Sequence, residues 1–204
     1  LRDSQIDGYH LKYLHRRSAP GFMESEDAPS RHAYDFKLLG KHSSGSFYGN
    51  RARIGADLSS AAPITALASR VGQTLASDTA SRVPLEQWAP GVNPTKSDNW
   101  FFDILYVYPN IHFIFLGYDA YIIHKMMPGK TYNTSTWNAR YFGPPVASSD
   151  LASKWAAEFM KVSLRDLWRE DGNTTLGAQK AIDSGVFKKM YLQDQEIMIR
   201  HAEK

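Results

Sequence analysis

Alternation of apolar and polar positions is clearest in the middle of the chain. Trp100–Tyr108, Ile111–Tyr118, Ala120–Met127 and Thr131–Phe142 are aromatic and β-branched runs, which predict four strands. Pro109–Asn110, Tyr118–Asp119 and Pro128–Gly129 punctuate them, and connections that short favour antiparallel pairing over crossovers. Upstream, His32–Leu39 sets Ala33, Asp35 and Lys37 against Tyr34, Phe36 and Leu38, the period of a half-buried strand. The Ser- and Gly-rich Lys41–Asn50 stretch predicts a hairpin or bulge, with Phe47–Tyr48 resuming a strand.

The flanks read differently. Ile6, Tyr9, Leu11, Tyr13 and Leu14 interleave with polar residues and predict a helix over Ser4–Arg16, stopped by Ser18–Ala19–Pro20–Gly21. Glu24–Ser30 reads as a loop, Pro63–Ala80 as an Ala- and Leu-rich helix, and Pro84–Asp98, with its breakers, as irregular. After Gly143–Pro144–Pro145 a helix is predicted for about the rest of the chain. Leu151, Trp155, Phe159 and Val162 form one stripe meant to lie on a sheet, Gly172 and Gly177 weaken the helix midway, and Gly185 ends it. The fold class that results is α+β, a central antiparallel β-sheet flanked by helices, with residues 1–204 as one domain.

Composition narrows the chemistry. At 204 residues the chain can bury one good core, and 24 basic against 21 acidic residues give a net charge of +3, too little to argue for nucleic acid. The most apolar stretch, Ile111–Ile123, is interrupted by Gly117 and Asp119 and is too short to span a bilayer. Arg2, Asp3 and Asp7 stand where a signal peptide needs an apolar run, so a cytoplasmic location is expected. A start at Leu1 reads as an excerpt from a longer chain. The absence of cysteine excludes disulfides, thiolate catalysis and cysteine-ligated clusters within this chain. His and carboxylates remain as the strong metal ligands.

The segment Asp7–Gly8–Tyr9–His10–Leu11–Lys12–Tyr13–Leu14–His15 is where those ligands gather. On a helix Asp7 and His10 share a face, so the carboxylate can hold one ring nitrogen of His10 and turn the other toward a metal. His10 and His15 diverge on an ideal helix, and a kink or widened turn would let them converge. A third ligand is available in Glu170–Asp171, beside Gly172 where the long helix is expected to be interrupted. Two imidazoles and one carboxylate form the facial triad of non-haem Fe(II) sites. The competing readings are two surface His on an amphipathic helix and an exposed helix carboxylate beside Arg169. His32, His42, His112 and His124 have no carboxylate at ligand spacing and read as solvated or hydrogen-bonded histidines.

Asp7–His15, the Tyr108–Pro109–Asn110 turn into Ile111–His112–Phe113, and Glu170–Asp171 followed by Gln179 and Ser184–Gly185 resemble the catalytic domain of Rieske-type aromatic-ring-hydroxylating oxygenase α subunits. Gln195–Glu196 and His201 continue the pattern, so the resemblance runs the length of the chain. It departs at Ser4–Gln5–Ile6, where the family normally carries an acidic residue and Asn. The resemblance implies a helix-grip (START-like) domain with mononuclear Fe(II) held by His10, His15 and Asp171, with Glu170 as the fallback ligand. It also implies that Asp7 carries electrons from a Rieske [2Fe–2S] cluster of a neighbouring subunit, and that the cluster lies outside these 204 residues. The implied partners are O₂, an aromatic or other apolar substrate, a ferredoxin or flavin reductase, and two further copies in a trimer, α3 or, with a β subunit, α3β3. The implied reaction is dihydroxylation, monohydroxylation or demethylation.

Phe101, Phe102, Tyr106, His112, Phe113, Phe115 and Trp137 are the candidate walls of the substrate pocket. Aromatic strands are more often plain core, and that reading stays open for each. Two other functions fit the same residues: a His₂–Asp zinc hydrolase, and a non-catalytic module enclosing an apolar ligand.

Overall fold

The computed structural model describes residues 2–18, 33–49, 85–116, 120–143 and 151–204. Its centre is a six-stranded antiparallel meander: β1 (Ala33–Leu39), β2 (His42–Tyr48), β3 (Trp100–Val107), β4 (Ile111–Phe115), β5 (Tyr121–Pro128) and β6 (Ser135–Phe142), in that order across the sheet. The four aromatic runs are β3–β6, and the architecture is α+β as the alternation predicts. The expected loop at Glu24–Ser30, the helix at Pro63–Ala80, the turn at Tyr118–Asp119, and His32 fall outside the described residues.

The Ser- and Gly-rich stretch is a full strand, β2, hydrogen-bonded on both sides, with a register shift between Phe47 and Tyr48. Small residues are needed there because the C-terminal helix (Ile197–Ala202) packs on this strand: a Cβ added at Gly45 would stand 2.8 Å from Met198 Sδ. Met198 and Ile199 join Ile6, Ala33, Phe47, Phe102, Ile104 and Tyr106 in the core. The C-terminal residues of the family-like pattern fasten this corner. Gln195 Oε1 accepts a hydrogen bond from Ala33 N (3.0 Å), and His201 Nε2 lies 2.7 Å from the Gly40 carbonyl.

The expected helix over Ser4–Arg16 is broken in two. A 3₁₀ turn covers Asp3–Gln5 and the helix α1 only Leu11–Leu14. The break has a local cause: the Asp7 carboxylate accepts Tyr9 N (2.6 Å) and His10 N (3.2 Å), offering the backbone a turn that competes with helix. Gly8 sits in this turn because a Cβ there would collide with the Phe47 ring.

The long helix α2 runs unbroken from Leu151 to Asp183, so Gly172 and Gly177 do not interrupt it. Thirty or so hydrogen-bonded neighbours outweigh two glycines, each costing about 1 kcal/mol against Ala. Gly185 ends it in a left-handed conformation (φ +70°), and the chain to Gln193 is not helical. The stripe does not lie on the sheet: Leu151, Trp155 and Val162 are exposed. Spacing identifies which residues share a face but not what covers it. α2 meets the sheet through Trp168, whose ring is 5.1 Å from that of His124 and 6.2 Å from that of Trp137.

Candidate metal centre

His10 and His15 flank α1, at its N-cap and C-cap. One short helical turn between two caps does what a kink was expected to do: the rings converge, with centroids 5.2 Å apart. Asp171, one turn beyond Trp168 on α2, completes the group. Its Oδ1 lies 3.5 Å from His10 Nε2 and 3.6 Å from His15 Nε2, and one ligand atom from each of the three residues falls within 4.8 Å of the others. Two metal–ligand bonds of about 2.1 Å meeting near a right or tetrahedral angle separate their ligand atoms by about 3.0–3.4 Å. Both carboxylate–imidazole separations are close to that span, and the donor set fits a divalent ion once the two imidazole nitrogens draw together around it.

The buried polar atoms point the same way. His15 is 0 % and Asp171 2 % exposed, yet His15 Nε2 and Asp171 Oδ1 have no hydrogen-bond partner among the described residues. Buried polar atoms are nearly always paired, so two facing orphans mark a place for a bound cation. Burial pushes the Asp171 carboxyl up from its usual range, against the pull of His15, His10 and Gln5. Burial likewise pushes His15 down, against its bond to Glu170, which keeps the imidazole neutral and its lone pair available.

Each of the three has a neighbour holding its far side. His10 Nδ1 is 3.2 Å from Asp7 Oδ2, His15 Nδ1 is 2.8 Å from Glu170 Oε2, and Gln5 Nε2 donates to Asp171 Oδ2 at 3.4 Å. Ser18 Oγ donates to the same Glu170 oxygen at 2.6 Å. A carboxylate on Nδ1 places the ring proton there and leaves Nε2 as the ligand atom. Glu170 is thus occupied as the support of His15, and the converging carboxylate is that of Asp171. Sequence reading missed the supporting roles of Gln5, Glu170 and Ser18, because no spacing rule links residues 152 or more positions apart.

A family model described as the ring-hydroxylating α subunit (catalytic domain) matches residues 1–204. The chain belongs to that family. It is a family of oxygenase subunits, and it implies mononuclear iron in this domain. No curated protein and no solved structure matches the chain significantly.

The candidate pocket walls divide across the sheet. Register places Tyr106, His112, His124 and Ala139 in one row on one face, with Phe102 and Ile104 beside them. That face carries Ile6 of the site segment and Trp168 of α2. Phe102 stacks on Phe47 at 4.8 Å and is core, whereas Tyr106 stacks on His112 at 5.0 Å. Trp137 lies on the same face and donates its indole N–H to His124 Nδ1 at 2.9 Å. Phe113 and Phe115 pair with Leu105 and Asp103 and point to the opposite face, away from the triad. Phe101 lies against Gly49, where a Cβ would stand 2.5 Å from its ring. His42 is hydrogen-bonded as expected, to Tyr108 N at 3.1 Å, but His112 is neither solvated nor paired among the described residues.

Proposed function

We propose that this domain activates O₂ at a mononuclear Fe(II) held by His10, His15 and Asp171, and hydroxylates an aromatic or other apolar substrate. The observation that carries this reading is the convergence of two imidazoles and one carboxylate, with His15 Nε2 and Asp171 Oδ1 buried and without a hydrogen-bond partner among the described residues. When bound, Fe(II) on two nitrogens and one carboxylate keeps coordination positions open for O₂ beside the substrate. The chain's own residues prepare that site. Asp7 and Glu170 fix the tautomers of His10 and His15, and Gln5 orients Asp171.

Asp7 is also the more accessible carboxylate, with 11 % of its side chain exposed against 1 % for Asp171. That position suits it to connect His10 to an electron donor outside the domain. A Rieske cluster needs cysteine ligands, and with none in this chain it is not held by these 204 residues. In this reading the cluster, the reductase and the neighbouring copies of a trimer are all external to the triad.

The test is the metal itself. Chain purified from iron-supplemented cells is expected to hold about one iron per chain and, after anaerobic addition of nitric oxide, to show the EPR signal of high-spin non-haem iron. Zinc as the native metal, or no metal, would overturn the oxygenase reading in favour of hydrolysis or simple ligand binding.

A further inference from the structure

His112 and His124 stand directly opposite each other on β4 and β5, in the cross-sheet row that begins Ser43–Tyr106. Both are 0 % exposed, and three of their four ring nitrogens have no partner among the described residues: both of His112, and Nε2 of His124. Buried nitrogens are seldom left unpaired, and three on two adjacent residues call for a ligand. Trp137 settles the tautomer of His124, because an indole N–H donates only, so Nδ1 accepts and Nε2 carries the proton. The pair thus offers two N–H donors and one acceptor nitrogen. They face the side of the sheet that carries the triad, beneath the turn of α2 that joins Trp168 to Asp171.

We propose that His112 and His124 are the polar end of the substrate site, hydrogen-bonding a neutral hydroxyl or carbonyl substituent on an otherwise apolar ring. This deepens the function proposed above and rests on it for the identity of the reacting centre. The preference for a neutral group follows from charge. Burial holds His112 down to about 3 and His124 to about 4, so neither is a cation at neutral pH. Among the described residues the charged side chain facing His112 is Arg2, which is already paired with Asp3 and Glu203. An anionic substituent would therefore find no free side-chain counter-charge there among the described residues, and a purely apolar one would leave the three nitrogens unpaired. The apolar walls beside the pair are the Tyr106, Trp137 and Trp168 rings.

Three probes with one ring test this: p-cresol (neutral hydroxyl), p-xylene (no polar group) and p-toluate (anion). Their dissociation constants are measured by NMR titration at pH 7 on the metal-free chain and, anaerobically, on the Fe(II)-loaded chain. The expected result is p-cresol binding at least tenfold tighter than either relative, with the imidazole ¹⁵N shifts of His112 and His124 moving on addition. In His112→Phe the preference over p-xylene should fall to threefold or less. Equal binding of p-xylene or p-toluate by the unmodified chain overturns the proposal without any variant. So does a stable His112→Phe chain with unchanged preference, which would make the pair ordinary core. Metal content separates this from the function itself. A chain without iron that still prefers p-cresol keeps the binding pair and loses the oxygenase, and an iron-loaded chain with no preference does the reverse.

Discussion

Asp103 and Asp171 are both buried, at 5 % and 2 % exposed, and burial pushes both carboxyls above their usual range. Their surroundings differ in one respect. Asp103 accepts three hydrogen bonds, from Ser46 Oγ (2.5 Å), Trp100 Nε1 (2.8 Å) and Asn93 N (2.7 Å), so both oxygens are paired. Asp171 has one long bond on Oδ2, and its Oδ1 faces two imidazole nitrogens instead of donors. A carboxylate whose partners are all donors of its own chain is finished by folding, here tying the 93–100 loop to the sheet. One that faces lone pairs is finished only by a cation. The difference between structural and ligating carboxylates thus lies in what surrounds them and not in how deeply they are buried.

Removing each carboxylate in turn separates the two roles. Asp171→Ala should abolish iron binding, read by metal analysis, while the melting temperature of the metal-free chain stays the same or rises. Loss of stability with iron retained would reverse the assignment. Asp103→Ala should do the opposite. It strands three donors and should cost on the order of 3 kcal/mol, a melting temperature lower by roughly 6–12 °C, with about one iron per chain still bound. Glu170→Ala frees His15 Nδ1 and should weaken iron affinity by about 10–100-fold without abolishing it, as measured by competition with a chelator. Complete loss would place Glu170 itself among the ligands.

A further effect concerns acid. His112 and His124 have folded values near 3 and 4, below the unfolded value of about 6.5. Above 6.5 neither protonates in either state, and their contribution is fully present. As the pH falls from 6.5 toward 4 the unfolded chain takes up protons the folded chain refuses, and stability drops by up to about 1.4 kcal/mol per pH unit for each group. The raised carboxyls of Asp103 and Asp171 act in the opposite sense, so the readout is a difference. Urea unfolding from pH 7.5 to 4.5 should show a shallower acid loss in His112→Phe than in the unmodified chain.

The parts legible in the sequence were those set by neighbours. Strands β3–β6 and their antiparallel order follow from alternation and short turns, and the His10–His15 element is contained in six residues. Where a local rule met a non-local partner, it failed in identifiable ways. Composition marked Lys41–Asn50 as a hairpin or bulge with a strand resuming at Phe47–Tyr48; the β1–β2 hairpin and a register shift after Phe47 are both present, but the strand already begins at His42. Aromatic content marked Phe113 and Phe115 as pocket walls alongside His112, yet the pleat turns them to the other face. Asp7 reads as a helix-face partner of His10; it keeps that contact, but by breaking the helix.

The residue types able to bind a metal, the α+β class and, through the family pattern, Asp171 as the candidate carboxylate were all legible in the chain. Residue chemistry and short-range periodicity are properties of the chain and need no fold. It took the folded chain to bring Asp171 on α2 to the caps of α1, to set Gln5 and Glu170 behind the three converging side chains, and to leave three buried ring nitrogens of His112 and His124 without a partner among the described residues. Those facts depend on contacts between residues far apart in the chain, and they exist only once the helix has docked on the sheet.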